Sequence, residues 1–212
     1  MRKHVRDFFD GILAGLMVTI GCGVFLACEN KIVGAILFSI ALLSICFKGF
    51  NLFTGKIGLI VNDHSKSAVS TLLIGLLGNL VGTFIFGTAL TYAIPSTYAT
   101  AEILCTGKLI NQELWQTLIR AIFCGILMYL AVITYRENKT VVGILFCIPV
   151  FILSGYEHSI ADMAYFAISR IVSLDAFIFL IVVIVGNAIG GVLIPALKLI
   201  GKEKETKVEE VE

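Results

Sequence analysis

Six apolar stretches, at residues 8–28, 32–61, 69–94, 114–135, 140–172 and 174–200, leave little else in this 212-residue chain. Each is long enough as a helix, at about 1.5 Å per residue, to cross a hydrocarbon layer of roughly 30 Å. With 58% hydrophobic and 15% charged residues, the chain is too apolar for a water-soluble domain. The expected fold is an all-α membrane protein with six transmembrane helices. Between the stretches there is no room for a soluble catalytic domain, so an enzyme is not expected. Met1-Arg2-Lys3-His4-Val5-Arg6 reads as the start of the first span rather than of a cleaved signal. Arg2, Lys3, Arg6, Lys66, Arg136, Lys139, Lys198, Lys202, Lys204 and Lys207 flank one side, against Lys31 and Lys108, with Arg170 nearby, on the other. That bias predicts a multi-pass protein of the cell membrane with both termini cytoplasmic. Residues 201–212 alternate in sign and read as a charged cytoplasmic tail.

Two of the stretches are too long for one straight helix. Residues 32–61 and 140–172 would reach about 45–50 Å. Each holds a polar, glycine-containing interruption: Lys48-Gly49-Phe50-Asn51-Leu52-Phe53-Thr54-Gly55-Lys56 in the first, and Ser154-Gly155-Tyr156-Glu157-His158-Ser159-Ile160-Ala161-Asp162-Met163 in the second. Non-helical backbone at that depth is tolerated where it lines a cavity or is buried in protein, and intramembrane ionisable groups mark substrate or ion paths. Helices 2 and 5 are therefore expected to be broken at the functional centre.

The interruptions align with each other. Gly49 falls on Gly155, Asn51 on Glu157 and Lys56 on Asp162 at an offset of 106; Gly78-Asn79 matches Gly186-Asn187 at 108, and Gly11 to Gly15 matches Ala121 to Gly125 at 110. Three matches in order define two repeats, about 8–94 and 114–200, within a single transmembrane channel domain spanning 1–212. Three spans per repeat is an odd number, so the second repeat enters from the opposite side, giving inverted topology with the broken helices meeting near the midplane.

Leu52-Phe53-Thr54-Gly55, Gly78-Asn79-x-x-Gly82, Ser154-Gly155-Tyr156-Glu157-His158-Ser159-Ile160-Ala161 and Gly186-Asn187-x-x-Gly190-Gly191 together resemble the formate/nitrite transporter family of pentameric anion channels. The resemblance covers essentially the whole chain. It implies a homopentamer in the lipid bilayer whose aquaporin-like protomers each pass small monovalent anions such as formate, nitrite or hydrosulfide, or their conjugate acids. It further implies that His158 is the central pore histidine, with Thr54 and Asn187 as hydrogen-bonding neighbours. Leu52 and Phe53 would form an apolar constriction on one side and Phe151 on the other. Lys108 would attract anions to the outer vestibule, and Glu157 would be a structural support.

Some positions depart from the family pattern. Gly125 stands where many members have a polar asparagine, Asn51 where an acid is usual, and Lys56 and Asp162 where asparagine is typical. The repeat relates Lys56 to Asp162, which leads to the expectation of a buried ion pair joining the two broken helices. An anion faces a large desolvation cost in an apolar constriction and a neutral acid a smaller one, so proton transfer at His158 would ease passage. The half-helix ends would add N–H donors towards the anion.

The alternative function is an aquaporin-like channel for small neutral solutes, although no Asn-Pro-Ala motif occurs. A hydrolase would need a metal cluster or an activated nucleophile, and only three histidines are present, with no His-Glu-x-x-His. The six cysteines are scattered without a Cys-x-x-Cys and read as small core residues. Neither a metal nor another cofactor is expected, and a net charge of +1 suggests no nucleic-acid partner.

Overall fold

The computed structural model describes residues 2–209, with side chains as far as Gly201. Ten α-helices follow in order: α1 Arg2–Ala27, α2 Lys31–Phe38, α3 Ile40–Lys48, α4 Phe53–Lys56, α5 Lys66–Ala93, α6 Pro95–Ile110, α7 Leu114–Asn138, α8 Val142–Leu153, α9 Ser159–Ser169 and α10 Leu174–Glu209, with a 3-10 turn at Ile57–Val61 after α4. The expected tail at 201–212 is helical as far as Glu209; its last three residues lie outside the described ones.

Five continuous stretches are long and apolar enough to cross a membrane: Arg2–Ala27, Lys31–Lys48, Lys66–Ala93, Leu114–Asn138 and Leu174–Gly201. The remaining stretch is divided. α8 has 12 residues and is about 18 Å long, so it needs α9 behind it to complete a crossing. The reason for the division is local. At the end of α3 Gly49 has φ +72°, and after α8 Gly155 has φ +67°. This left-handed conformation suits glycine and stops a helix by turning its next N–H back onto the last carbonyls. Phe50 N–H bonds Ile45 O at 3.1 Å, and Tyr156 N–H bonds Phe151 O at 3.0 Å. The chain then runs extended to Leu52 and to His158, where α4 and α9 begin.

Helix α6 is an element that the apolar pattern does not reveal. Residues 95–110 lie between two stretches and read from sequence as a connection, yet Pro95 occupies the first turn, where its missing N–H costs nothing. It packs on α9. α1 packs along α5, and α7 along α10. Both contacts depend on glycine. A methyl group on Gly15 would lie 2.7 Å from Asn79 O and 2.9 Å from Thr83 N; one on Gly125 would press into Asn187 O and lie 2.9 Å from Gly191 N. Small residues allow this close approach in membranes, where packing rather than hydrophobicity drives association. Gly125 therefore does not simply vacate a pore position: the close approach of α10 leaves no room for a side chain there.

Many large apolar side chains, including Leu77, Phe84, Ile103, Phe146 and Leu197, face outward, while Asn51, Thr54, Asn79, Glu157, His158, Asp162 and Asn187 are buried. Polar groups inside and apolar groups outside is the distribution a lipid solvent demands. Tyr92 at the end of α5 and Trp115 at the start of α7 are exposed, as expected of interfacial aromatics.

Candidate pore centre

The beginnings of α4 and α9 are pinned by two asparagines in corresponding ways. Asn79 on α5 accepts from Phe53 N–H at 3.0 Å through Oδ1 and donates through Nδ2 to Gly11 O and Asn51 O, both at 2.9 Å. Asn187 on α10 accepts from Ser159 N–H at 2.8 Å and donates to Ala121 O at 2.9 Å and Glu157 O at 2.8 Å. The partners Phe53 and Ser159, and Asn51 and Glu157, are 106 apart; the asparagines are 108 apart, and Gly11 and Ala121 are 110 apart. These are the offsets of the sequence alignment. Both asparagines are fully buried, and each satisfies two backbone groups left over at a break while bonding a third on α1 or α7.

This geometry alters two expectations. Asn187 does not bond the His158 ring; it holds the backbone on either side of it. Three of the N–H groups at the half-helix starts are also engaged within the protein. Phe53 N–H and Ser159 N–H go to the asparagines and Ala161 N–H to His158 Nδ1 at 3.1 Å, so these three are not free for a ligand.

His158 is the N-cap of α9 and is buried. Because Nδ1 accepts from Ala161 N–H, the proton of the neutral ring sits on Nε2. Nε2 lies 2.8 Å from Thr54 Oγ1, so the ring donates to the threonine, whose own hydroxyl hydrogen remains to be donated elsewhere. Phe151 stacks on the imidazole, with centroids 5.5 Å apart and planes inclined by 22°.

His158 and Phe151 line a cavity of only about 10 Å³, together with Leu52, Val18, Phe38 and Ile45 among others. That is about one water-sized probe, too small for a formate-sized anion. Leu52 also borders a wider space of about 230 Å³ with Gly49, Phe50, Lys56 and Arg136, and together with Leu42 and Ile45, which line both, it separates the two. Leu52 and Phe151 thus face the chamber. Phe53 is buried but absent from its walls.

The expected ion pair between Lys56 and Asp162 is not formed. Asp162 Oδ1 lies 3.1 Å from Lys108 Nζ, and the same ammonium bonds the Glu157 carboxylate, which also accepts from Gln112 Nε2 at 2.9 Å. The Lys108 side chain is 14% exposed, held between two carboxylates rather than standing free in a vestibule. Two positions related by a repeat are equivalent, not adjacent. Gln112 and Asn79 are contributors that sequence reading left without a role. The offset of 108 from Asn187 was the available signal for Asn79; Gln112 carried none. Among the described residues no cluster of metal-ligating side chains occurs.

The family model described as formate/nitrite transporter matches residues 2–200. The chain belongs to the formate/nitrite transporter family. A Plasmodium ovale protein named Formate-nitrite transporter is 27% identical over 188 residues, covering 76% of this chain and 60% of that protein. The Uncharacterized transporter YwcJ of Bacillus subtilis (strain 168) is 28% identical over 183 residues, covering 75% of this chain and 70% of that protein. The match to the Plasmodium relative thus spans less than two thirds of its length. Among solved structures, a pentameric formate channel with formate bound superposes with a TM-score of 0.80 at 20% identity, covering 93% of this chain and 96% of that one. A structure described as an FNT family ion channel gives 0.78 at 23% identity, covering 92% and 88%. Formate/nitrite transporter membership places the chain among transporters rather than enzymes, and the superpositions show that it has the channel fold.

Proposed function

We propose that the protein is a membrane channel or transporter for small monovalent anions such as formate, nitrite or hydrosulfide, with the path running past Leu52, His158 and Phe151. The observation that carries this reading is the buried His158–Thr54 pair, whose imidazole borders an apolar chamber. His158 Nε2–H is taken by Thr54 Oγ1, which leaves the Thr54 hydroxyl hydrogen as a donor that suits an acceptor-rich anion or its neutral acid. His158 passes a proton to the solute only after Nδ1 releases Ala161 N–H, because both ring nitrogens carry hydrogen in the imidazolium. Opening of the chamber and protonation are thereby coupled to the start of α9.

In this reading the two broken-helix units form inverted three-helix repeats, as supported by the corresponding bonds of Asn79 and Asn187. Both termini are cytoplasmic on the Lys/Arg bias, and the outward apolar surface serves both lipid and subunit contacts in a homopentamer. Asn187 and Phe53 support the loops, and Lys108, Glu157 and Asp162 hold the second break. The test is flux into proteoliposomes of formate, nitrite, hydrosulfide and glycerol, comparing wild type with His158→Ala and Thr54→Val. Anion flux that rises with acidity and falls in both variants is expected. Glycerol flux without anion flux overturns the reading in favour of a neutral-solute channel.

A further inference from the structure

The two lysines at the broken helices have opposite electrostatic situations. Lys108 is matched by two carboxylates, and the second oxygen of Asp162, Oδ2, is buried with no hydrogen-bond donor. With both acids ionised that cluster is negative. Lys56, at the end of α4, takes part in no ion pair among the described residues. It is half-buried and borders the 230 Å³ space immediately outside Leu52 together with the exposed Arg136. Both residues continue into an adjoining cleft of about 740 Å³, whose walls bring in Lys3 and Arg6 against Asp7, Asp63 and Glu137. Four bases face three acids there. Asp7 is further engaged by the Thr71 hydroxyl at 2.8 Å, and Asp63 accepts from Ser65 N–H at 3.1 Å, close to the start of α5. A cationic pair therefore stands at the mouth next to Leu52, whereas the lysine behind the other break is over-neutralised.

We propose that Lys56 and Arg136 form an anion-collecting site at the Leu52 mouth, so that the protein takes up small monovalent anions faster from the face bearing the N-terminus than from the Phe151 face. This rests on the anion-channel reading. Charges of one sign in a cleft with low-dielectric walls raise the local concentration of the opposite ion and the rate of capture. In a passive pore the effect is on rates from each side and on rectification, not on the equilibrium distribution. Asp162 is the complementary half: it withholds Lys108 from the opposite approach.

The experiment is formate flux measured from each side of proteoliposomes, with orientation read from protease access to an N-terminal tag, which lies on the Lys56 face. Wild type should admit formate about three- to ten-fold faster from that face at low ionic strength. The ratio should approach one near 1 M salt, where screening acts within about 3 Å. Lys56→Gln should abolish the asymmetry and Lys56→Arg retain it, while Asp162→Asn should raise flux from the Phe151 face. Equal, salt-insensitive fluxes in wild type, or an asymmetry unchanged in Lys56→Gln, overturn the proposal. If Lys56→Gln does not assemble, persistence of the full asymmetry in Asp162→Asn and in Arg136→Gln overturns it as well. Absence of anion flux from either face removes the anion-channel reading itself, which distinguishes that failure from a loss of sidedness alone.

Discussion

Lys108 shows how far one residue's role depends on its neighbours. Its ammonium pairs with two buried carboxylates at once, so removing it leaves both without their cation. Breaking a buried charge cluster by deleting one partner costs about 3–5 kcal/mol. Lys108→Met should therefore lower thermal stability in detergent severely, and the triple change Lys108→Met, Glu157→Gln, Asp162→Asn should recover part of the loss. A triple variant no more stable than the single would show that the cluster's charges do not act together. At His158, the ring's Nε2–H depends on Thr54 for an acceptor. Thr54→Val leaves that donor unpaired in a buried site at about 1–3 kcal/mol. Its anion flux should fall well below that of Thr54→Ser, which keeps the oxygen; equal flux in the two would sever the pair from transport.

At the scale of elements, the two breaks are built alike, and they should fail alike. Asn79→Leu and Asn187→Leu each remove three hydrogen bonds to backbone groups. Each variant should show comparably reduced thermal stability and a reduced yield of assembled protein. Damage confined to one of the two would mean that the corresponding bonds do not carry corresponding load. Gly125→Ala adds a methyl group where Asn187 O already sits, so α7 and α10 must part. The expected readout is loss of the assembled species on size-exclusion chromatography, with Gly107→Ala as the control, because only an Asn111 side-chain atom at 3.8 Å lies near an added Cβ there.

At the scale of the whole molecule, the chamber of about 10 Å³ bordered by Leu52 and Phe151 is too small to admit an anion along the proposed path. Trimming either side chain should widen it. Leu52→Ala and Phe151→Ala are expected to raise flux of solutes larger than formate, such as lactate, and to weaken discrimination against glycerol. Unchanged selectivity in both variants would place the constriction elsewhere.

Much of this molecule was readable in advance because its determinants are local. Hydropathy is a property of consecutive residues, so membrane-crossing stretches, their excess length and the polar interruptions at Gly49 and Gly155 were all legible in the chain. The offsets of 106, 108 and 110 were legible too, and they recur among the bonds of Asn79 and Asn187. Helix α6 was not, since its apolar content is too low to stand out between two long hydrophobic runs. What only the tertiary structure decided is which side chains meet. A repeat assigns equivalent places, and equivalence says nothing of distance; hence Asp162 reaches Lys108 on α6 rather than its counterpart Lys56. Phe53 is not among the chamber walls although Leu52 beside it is, and His158 acquired its tautomer from the cap it forms on α9. These outcomes depend on directions and distances set by the packed helices, which residue order alone does not carry.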